Sequence, residues 1–219
     1  MKKIVFITIF ASFSLISFAD SGFLDDYSML EFVDGDNRVY INPSFIRDGA
    51  KYHSVMIDLP EIFISSDSIY RGLKADEMAV WAESFREAII AEISTSYNVV
   101  ESPGDGVLFV SLALADVHLK KAKRGFLSYT PIGLVANAAK SVLVSDFQNK
   151  ISLTALTIEV ELTDSQSDEI MGQHVEPRGN EDEPTSWEEV DTLMRSYGSR
   201  LRCRMDNTRR DEQVNCWQL

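Results

Sequence analysis

Strict alternation of apolar and polar residues between Leu156 and Thr163 is the feature that most constrains how this chain folds. A period of two places one set on each face of a strand: Leu156, Ile158, Val160 and Leu162 against Thr157, Glu159, Glu161 and Thr163. Turn-forming residues follow at 164–168, and Glu169–Val175 can return as a partner strand. The pattern predicts a long antiparallel hairpin over Ile151–Val175 at the centre of a sheet, with Thr157, Glu159 and Glu161 on a solvated face.

Two segments show the three- and four-residue spacing of amphipathic helices, Asp76–Tyr97 and Ser186–Met205. Asp76 is a suitable N-cap for the first, and Ser186 with Glu189 forms a capping box for the second. The apolar stripes predicted to face the sheet are Met78, Trp81, Phe85, Ile89, Ile93 and Tyr97 in the first, and Trp187, Val190, Met194, Tyr197, Leu201 and Met205 in the second. Three arginines near the end of the second helix (Arg200, Arg202 and Arg204) suit the helix dipole.

The remaining periodicity predicts shorter strands, and together these elements define the fold class. The predicted strands are Arg38–Ile41, a stretch over Ser54–Ile64 bent at Pro60, Asn98–Glu101 and Val107–Leu119, with a hairpin turn at Gly104–Gly106. We expect an α+β fold: a mainly antiparallel sheet of about five strands packed by two amphipathic helices. Residues 20–219 are expected to form a single domain, with 20–37 as an extended, loop-like N-terminal segment and Glu176–Asp191 as a solvated acidic loop.

The first 19 residues have the organisation of a secretory signal peptide. Lys2 and Lys3 precede an apolar stretch over Ile4–Ile16, and small residues at 17 and 19 predict cleavage after Ala19. About 13 residues are too few for a membrane span, which needs roughly 20. No cysteine follows the predicted cut, so we expect a soluble periplasmic protein without a lipid anchor or a later transmembrane segment.

The sequence has two cysteines, Cys203 and Cys216. Thiols of exported proteins meet an oxidising compartment, so these two are predicted to form a disulfide. Their spacing is unlike the Cys-x-x-Cys of redox-active pairs. Because Cys203 lies off the apolar stripe of its helix, the C-terminal tail is expected to fold over the outer face of that helix.

Charge and motif content exclude several function classes. Thirty-four acidic residues against 21 Lys and Arg give a net charge of −13, which disfavours binding to nucleic acid. One basic cluster (Lys120, Lys121, Lys123 and Arg124) is open to an acidic partner. The three histidines lie in separate elements, and His174-x-Glu176 is too sparse for a metal site. We therefore predict no catalytic, cofactor or metal site, and a protein that is not an enzyme.

Several stretches together carry a family resemblance: Gly22–Leu30, Tyr97–Gly104, Thr163–Ser165 and Ser186–Arg202. In these the chain resembles an uncharacterised family of Gram-negative envelope lipoproteins that contain a domain of unknown function. The resemblance implies export and an α+β domain, and it brings no activity and no site residues. This chain departs from that family in lacking the lipidated cysteine.

The function predicted from the sequence is that of an accessory or protein-binding module of the cell envelope, with an unidentified envelope protein as its partner. One alternative is a periplasmic hydrolase that uses Asp58, Glu61 or His118. Another is a carrier of small ligands in which Phe126–Ser145, apolar and rich in small residues, acts as a lid. The sequence leaves open whether that segment is a helix, a lid or an interface.

Overall fold

The computed structural model describes residues 20–121, 151–178, 187–210 and 213–218. Its strands are β1 (Glu31–Asp34), β2 (Asn37–Ile41), β3 (Ser54–Ile57), β4 (Glu61–Ile64), β5 (Asn98–Val99), β6 (Val107–Lys121), β7 (Ile151–Asp164) and β8 (Ile170–Arg178). Its α-helices are α1 (Pro43–Asp48), α2 (Ala75–Ile93) and α3 (Trp187–Asn207). The predicted signal peptide at 1–19 and the Phe126–Ser145 segment lie outside the described residues.

The predicted hairpin is confirmed as β7 and β8, and it occupies the middle of the sheet. The strand order is β1-β2-β8-β7-β6-β3-β5, with β4 also paired to β6. The described sheet thus has eight strands, so the prediction of about five was too low. The strand that was missed, β1, and the strand that was merged with β3, β4, have four residues each, too few to show a clear period. The strand predicted at Asn98–Glu101 is present as β5, shortened to two residues.

Antiparallel pairing dominates the half of the sheet built on the long strands, as predicted. From β1 through β2, β8, β7 and β6 every neighbouring pair is antiparallel, whereas β3 runs parallel to both β5 and β6. The turn at Gly104–Gly106 is therefore not a hairpin, because β3 lies between the strands that it connects. Gly106 has φ +67°, and a Cβ there would lie 2.6 Å from the carbonyl oxygen of Lys51.

Both amphipathic helices cover the face of the sheet that carries Leu156, Ile158, Val160 and Leu162, all of them buried. The Phe85 ring of α2 and the Tyr197 ring of α3 lie 6.4 Å apart, which brings the two predicted stripes together. The N-cap of α2 is Lys74 and not Asp76 as predicted. The Lys74 backbone N–H donates to the Glu77 carboxylate at 2.9 Å, so the acid of the capping arrangement is Glu77.

The opposite face of the hairpin is covered, which the sequence analysis did not predict. Glu159 is only 2% exposed, and Tyr27 of the N-terminal segment donates a hydrogen bond to its carboxylate at 2.6 Å. Burial raises the pKa of Glu159. Glu161 is half-buried and accepts from the Gln173 amide at 2.8 Å. The predicted solvated face is therefore wrong at Glu159, and the segment 20–37 packs on the sheet and contains β1.

The C-terminal tail returns to α3 at Cys203 and Cys216, whose Cα atoms are 5.7 Å apart and whose sulfurs are joined. This separation is typical of a disulfide. The tail does not lie on the outer face of α3 as expected, because the Trp217 ring lies 5.5 Å from the ring of His174 on β8. It fills the seam between helix and sheet. No helix in the described ranges combines the length and apolar character needed to cross a membrane.

Candidate functional site

The three residues considered for a hydrolase lie at different points along β6. The Asp58 backbone N–H donates to the carbonyl of Val110, and Glu61 pairs with Ala113 on β6. His118 lies eight residues beyond Val110 and five beyond Ala113 on the same strand, which corresponds to roughly 25 Å from Val110 and roughly 16 Å from Ala113 at 3.3 Å per residue. The structure therefore separates the two acids from the histidine.

His118 instead lies beside two other carboxylates at the surface. Its Nε2 is 3.2 Å from Asp116 and 3.7 Å from Asp67, and both aspartates are exposed. One ligand atom from each residue lies within 4.8 Å of the others, but exposed acidic groups commonly adopt such arrangements without an ion. We assign no metal to this group.

A buried charge cluster lies where the sequence analysis expected the start of a solvated loop. β8 continues to Arg178, and the Glu176 side chain on it is fully buried. Arg200 of α3 donates to Glu176 at 2.5 Å and Arg204 at 3.3 Å, and Arg178 also donates to it. We call Glu176, the three arginines and His174 the buried charge cluster.

The two-residue period of β8 and the four-residue spacing on α3 bring the side chains of this cluster together. His174, Glu176 and Arg178 are two residues apart on β8 and share the face that α3 covers. Arg200 and Arg204 are four residues apart on α3 and so share a face of that helix. The cluster was not predicted from the sequence, because the arginines near the end of α3 suit the helix dipole and Glu176 precedes loop-forming proline and glycine.

Hydrogen bonding fixes the protonation of His174. Its Nδ1 lies 3.1 Å from a guanidinium nitrogen of Arg204, which can only donate, so Nδ1 accepts and the proton is on Nε2. Burial, reinforced by the charges of Arg204, Arg200 and Arg178, holds the pKa of His174 well below its usual 6.5. Neutral His174 lacks access to solvent, and so does the Glu176 carboxylate, which the guanidinium groups of the three arginines enclose. The cluster therefore joins α3 to the sheet.

Beside the cluster the surface opens into a groove of about 240 Å³. One wall is the β1–β2 hairpin, with Val33, Val39 and Ile41, and the other is the end of α3 with the C-terminal tail. The tail contributes Val214 and Trp217, whose ring stacks 4.0 Å from the Arg204 guanidinium carbon. We call this feature the hairpin groove. Its complete lining is Val33, Val39, Ile41, Arg204, Asn207, Val214, Asn215, Cys216 and Trp217.

The model of a family described as protein of unknown function, DUF3313, matches residues 19–201. The chain belongs to the DUF3313 family. The predicted resemblance to a family with a domain of unknown function is confirmed at this level. A search of the curated proteins finds no relative of this DUF3313 protein.

Solved structures of several bacterial proteins are similar to this DUF3313 chain at low sequence identity. The PelC dodecamer of Paraburkholderia phytofirmans is 12% identical, with a TM-score of 0.39 over 75% of this chain and 97% of PelC. XCC0632 of Xanthomonas campestris, from the DUF330 family, is 8% identical, with a TM-score of 0.38 over 80% and 94% of the two chains. A PDZ domain protein of Parabacteroides distasonis is 11% identical, with a TM-score of 0.39 over 81% of this chain and 36% of its own. No function is transferred from these structures.

Proposed function

We propose that this DUF3313 protein is an exported, non-catalytic binding module of the cell envelope, and that its hairpin groove receives a protein partner. The observation that carries the proposal is the apolar surface on both sides of the groove. Val33 is 51% exposed, Ile41 41% and Val214 46%. Contiguous exposed apolar residues with a polar rim are typical of interaction sites.

The groove is supported by a scaffold suited to binding. Behind it the buried charge cluster fixes α3 to β8, and Trp217 rests on Arg204 of the same cluster. The Cys203–Cys216 pair holds the tail against the helix. Since the wall formed by α3 and the tail is held in place before a partner arrives, binding costs less conformational entropy there.

Export is the second part of the proposal. It is supported by the signal-peptide pattern of residues 1–19 and by a cysteine pair whose geometry is compatible with a disulfide. The accessory, non-enzymatic role is supported by the separation of Asp58 and Glu61 from His118 along β6 and by the enclosure of Glu176. An envelope protein is the partner expected for a chain in that compartment.

Site-specific photo-crosslinking in Gram-negative cells tests this proposal. A photoreactive amino acid replaces Val33 or Val214 in the full-length chain, and Ile69, which is 87% exposed and away from the groove, serves as the control position. We expect an adduct of discrete mass when the photoreactive group is at position 33 or 214, and none when it is at position 69. We also expect the chain to be cleaved after Ala19 and to be released from the cells by osmotic shock. Equal labelling at all three positions, or none at either groove position, would refute the binding role.

A further inference from the structure

We infer that the hairpin groove takes a short segment of its partner in which an apolar residue is flanked by lysine or arginine. This inference rests on the proposed binding function and specifies the chemistry of the partner. The observations behind it are the acidic residues of β1, the lack of an ion-pair partner for them among the described residues, and the size of the groove.

Strand register places two acids on the groove side of the hairpin. Glu31 is directly opposite Val39, and Asp34 is opposite Asn37. Directly opposed residues of an antiparallel pair project from the same face of the sheet. Val39 lines the groove, and Asn37 shares its face because it lies two residues earlier on β2. Glu31 and Asp34 therefore lie on that face, next to the lining residues and about 10 Å apart along a strand whose register shifts between Phe32 and Asp34.

No lysine or arginine in the described part of the chain forms an ion pair with these acids. Glu31, Asp34 and the neighbouring Asp36 form no ion pair there, whereas Arg38 on β2 contacts Asp20 at 3.3 Å. Arg204, the cation in the groove lining, is engaged by Glu176. An apolar groove with two unneutralised carboxylates at its rim is complementary to an apolar side chain between two cations.

The same acids argue against a second copy of this chain as the occupant. Antiparallel pairing of two β1 strands about their centre would put Glu31 of each copy opposite Asp34 of the other, and like charges directly opposed are destabilising. The chain as a whole has a net charge of −13, which also opposes self-association and binding to anionic lipid.

The volume of the groove sets the size of what it accepts. At about 240 Å³ it is smaller than the roughly 300 Å³ at which cofactor and small-molecule pockets begin. It is therefore suited to one or two side chains of a peptide. The flanking cations would remain at the rim, where they meet Glu31 and Asp34.

Fluorescent model peptides test the inference on the oxidised, mature chain by fluorescence anisotropy. The peptides Lys-Leu-Val-Lys, Ser-Leu-Val-Ser and Glu-Leu-Val-Glu, each capped at both ends, share the apolar pair and differ in the flanking residues, which are basic, neutral or acidic. We expect the basic peptide to bind about tenfold more tightly than the neutral one at low salt, and the acidic one most weakly. Raising the salt concentration should reduce this preference, because exposed ion pairs are screened.

A paired variant, Glu31→Gln with Asp34→Asn, should abolish the preference for the basic peptide while leaving the weak binding of the neutral peptide unchanged. Glu87→Gln, on the exposed face of α2, is the matched control and should change neither. Three results would each overturn the inference: equal binding of all three peptides, tighter binding to anionic vesicles than to the basic peptide, or a stable dimer of the chain in light scattering. If photo-crosslinks at Val33 and Val214 persist while the peptide preference is absent, the binding function stands and only the partner chemistry is wrong.

Discussion

Glu176→Gln is predicted to be strongly destabilising, because Glu176 neutralises arginines that have little access to solvent. The Glu176 side chain is completely buried, and the side chains of Arg200 and Arg204 are 4% and 14% exposed. Arg178, at 29%, can turn outward, but the other two cannot without moving α3. Glutamine preserves the volume and one acceptor oxygen and removes the charge, so the change tests the ion pairing without opening a cavity.

Removing one partner from a buried ion pair costs about 3–5 kcal/mol. Because glutamine still accepts hydrogen bonds, we expect about 3 kcal/mol for Glu176→Gln, measured as the free energy of unfolding by urea titration at pH 7.5. For a chain of this length that corresponds to a decrease in melting temperature of roughly 6–12 °C.

Glu83→Gln on α2 is the matched control, because Glu83 pairs with Arg86 at the surface, with a nitrogen–oxygen distance of 3.7 Å and both side chains about 30% exposed. An exposed pair contributes about 0–1 kcal/mol, so this variant should unfold almost as the wild type does. A loss below about 1 kcal/mol for Glu176→Gln, or equal losses for both variants, would refute the view that the cluster joins α3 to the sheet.

Three further predictions follow from the structure. The pKa of His174 is lowered on folding, so below pH 6.5 the unfolded chain binds a proton at this residue that the folded chain does not. The free energy of unfolding should therefore decrease by up to about 1.4 kcal/mol for each unit by which the pH falls below 6.5. The difference in unfolding free energy between wild type and His174→Gln, measured from pH 7.5 to 5.5, isolates this effect; a difference independent of pH would exclude it. Replacing Cys203 and Cys216 by serine should cost about 3 kcal/mol and weaken binding at the groove, and the oxidised wild type should show no thiol reactive to Ellman's reagent before reduction. Gly106→Ala should lower the free energy of unfolding in urea by about 1–2 kcal/mol, because Gly106 has a left-handed backbone and the new Cβ would lie 2.6 Å from the Lys51 carbonyl oxygen. Gly104→Ala should lower it less, because its Cβ would meet only Val107, at 3.6 Å.

The parts of the fold that the sequence predicted well are those with long, unbroken periodicity. The β7–β8 hairpin and the apolar stripes of α2 and α3 each repeat one pattern over many residues, and burial at Ile158, Phe85 and Tyr197 agrees with it. A short strand such as β4 is defined by pairing with distant residues of β6, which a local pattern does not contain. The covered face at Glu159 depends on Tyr27, 132 residues away, and for the same reason it was not predicted.

The candidate site was harder to predict, because its residues have common local explanations. Arginines at the end of a helix suit the helix dipole, and an acid near proline and glycine suggests a loop. The informative signal lies in two patterns taken together. His174, Glu176 and Arg178 alternate on one strand, and Arg200 and Arg204 border the apolar stripe of the helix that packs on that strand. Charged residues on two faces that must both be buried are expected to pair with each other.

The hairpin groove has one further consequence, for the order in which the protein matures. One wall comes from residues 33–41, and the other combines the end of α3 with residues 214–217, which the Cys203–Cys216 disulfide holds in place. While these two cysteines are reduced, residues 214–217 lose that link to α3 and the second wall is incomplete. The groove is thus completed by disulfide formation, and a partner that recognises both walls would select oxidised molecules over reduced ones.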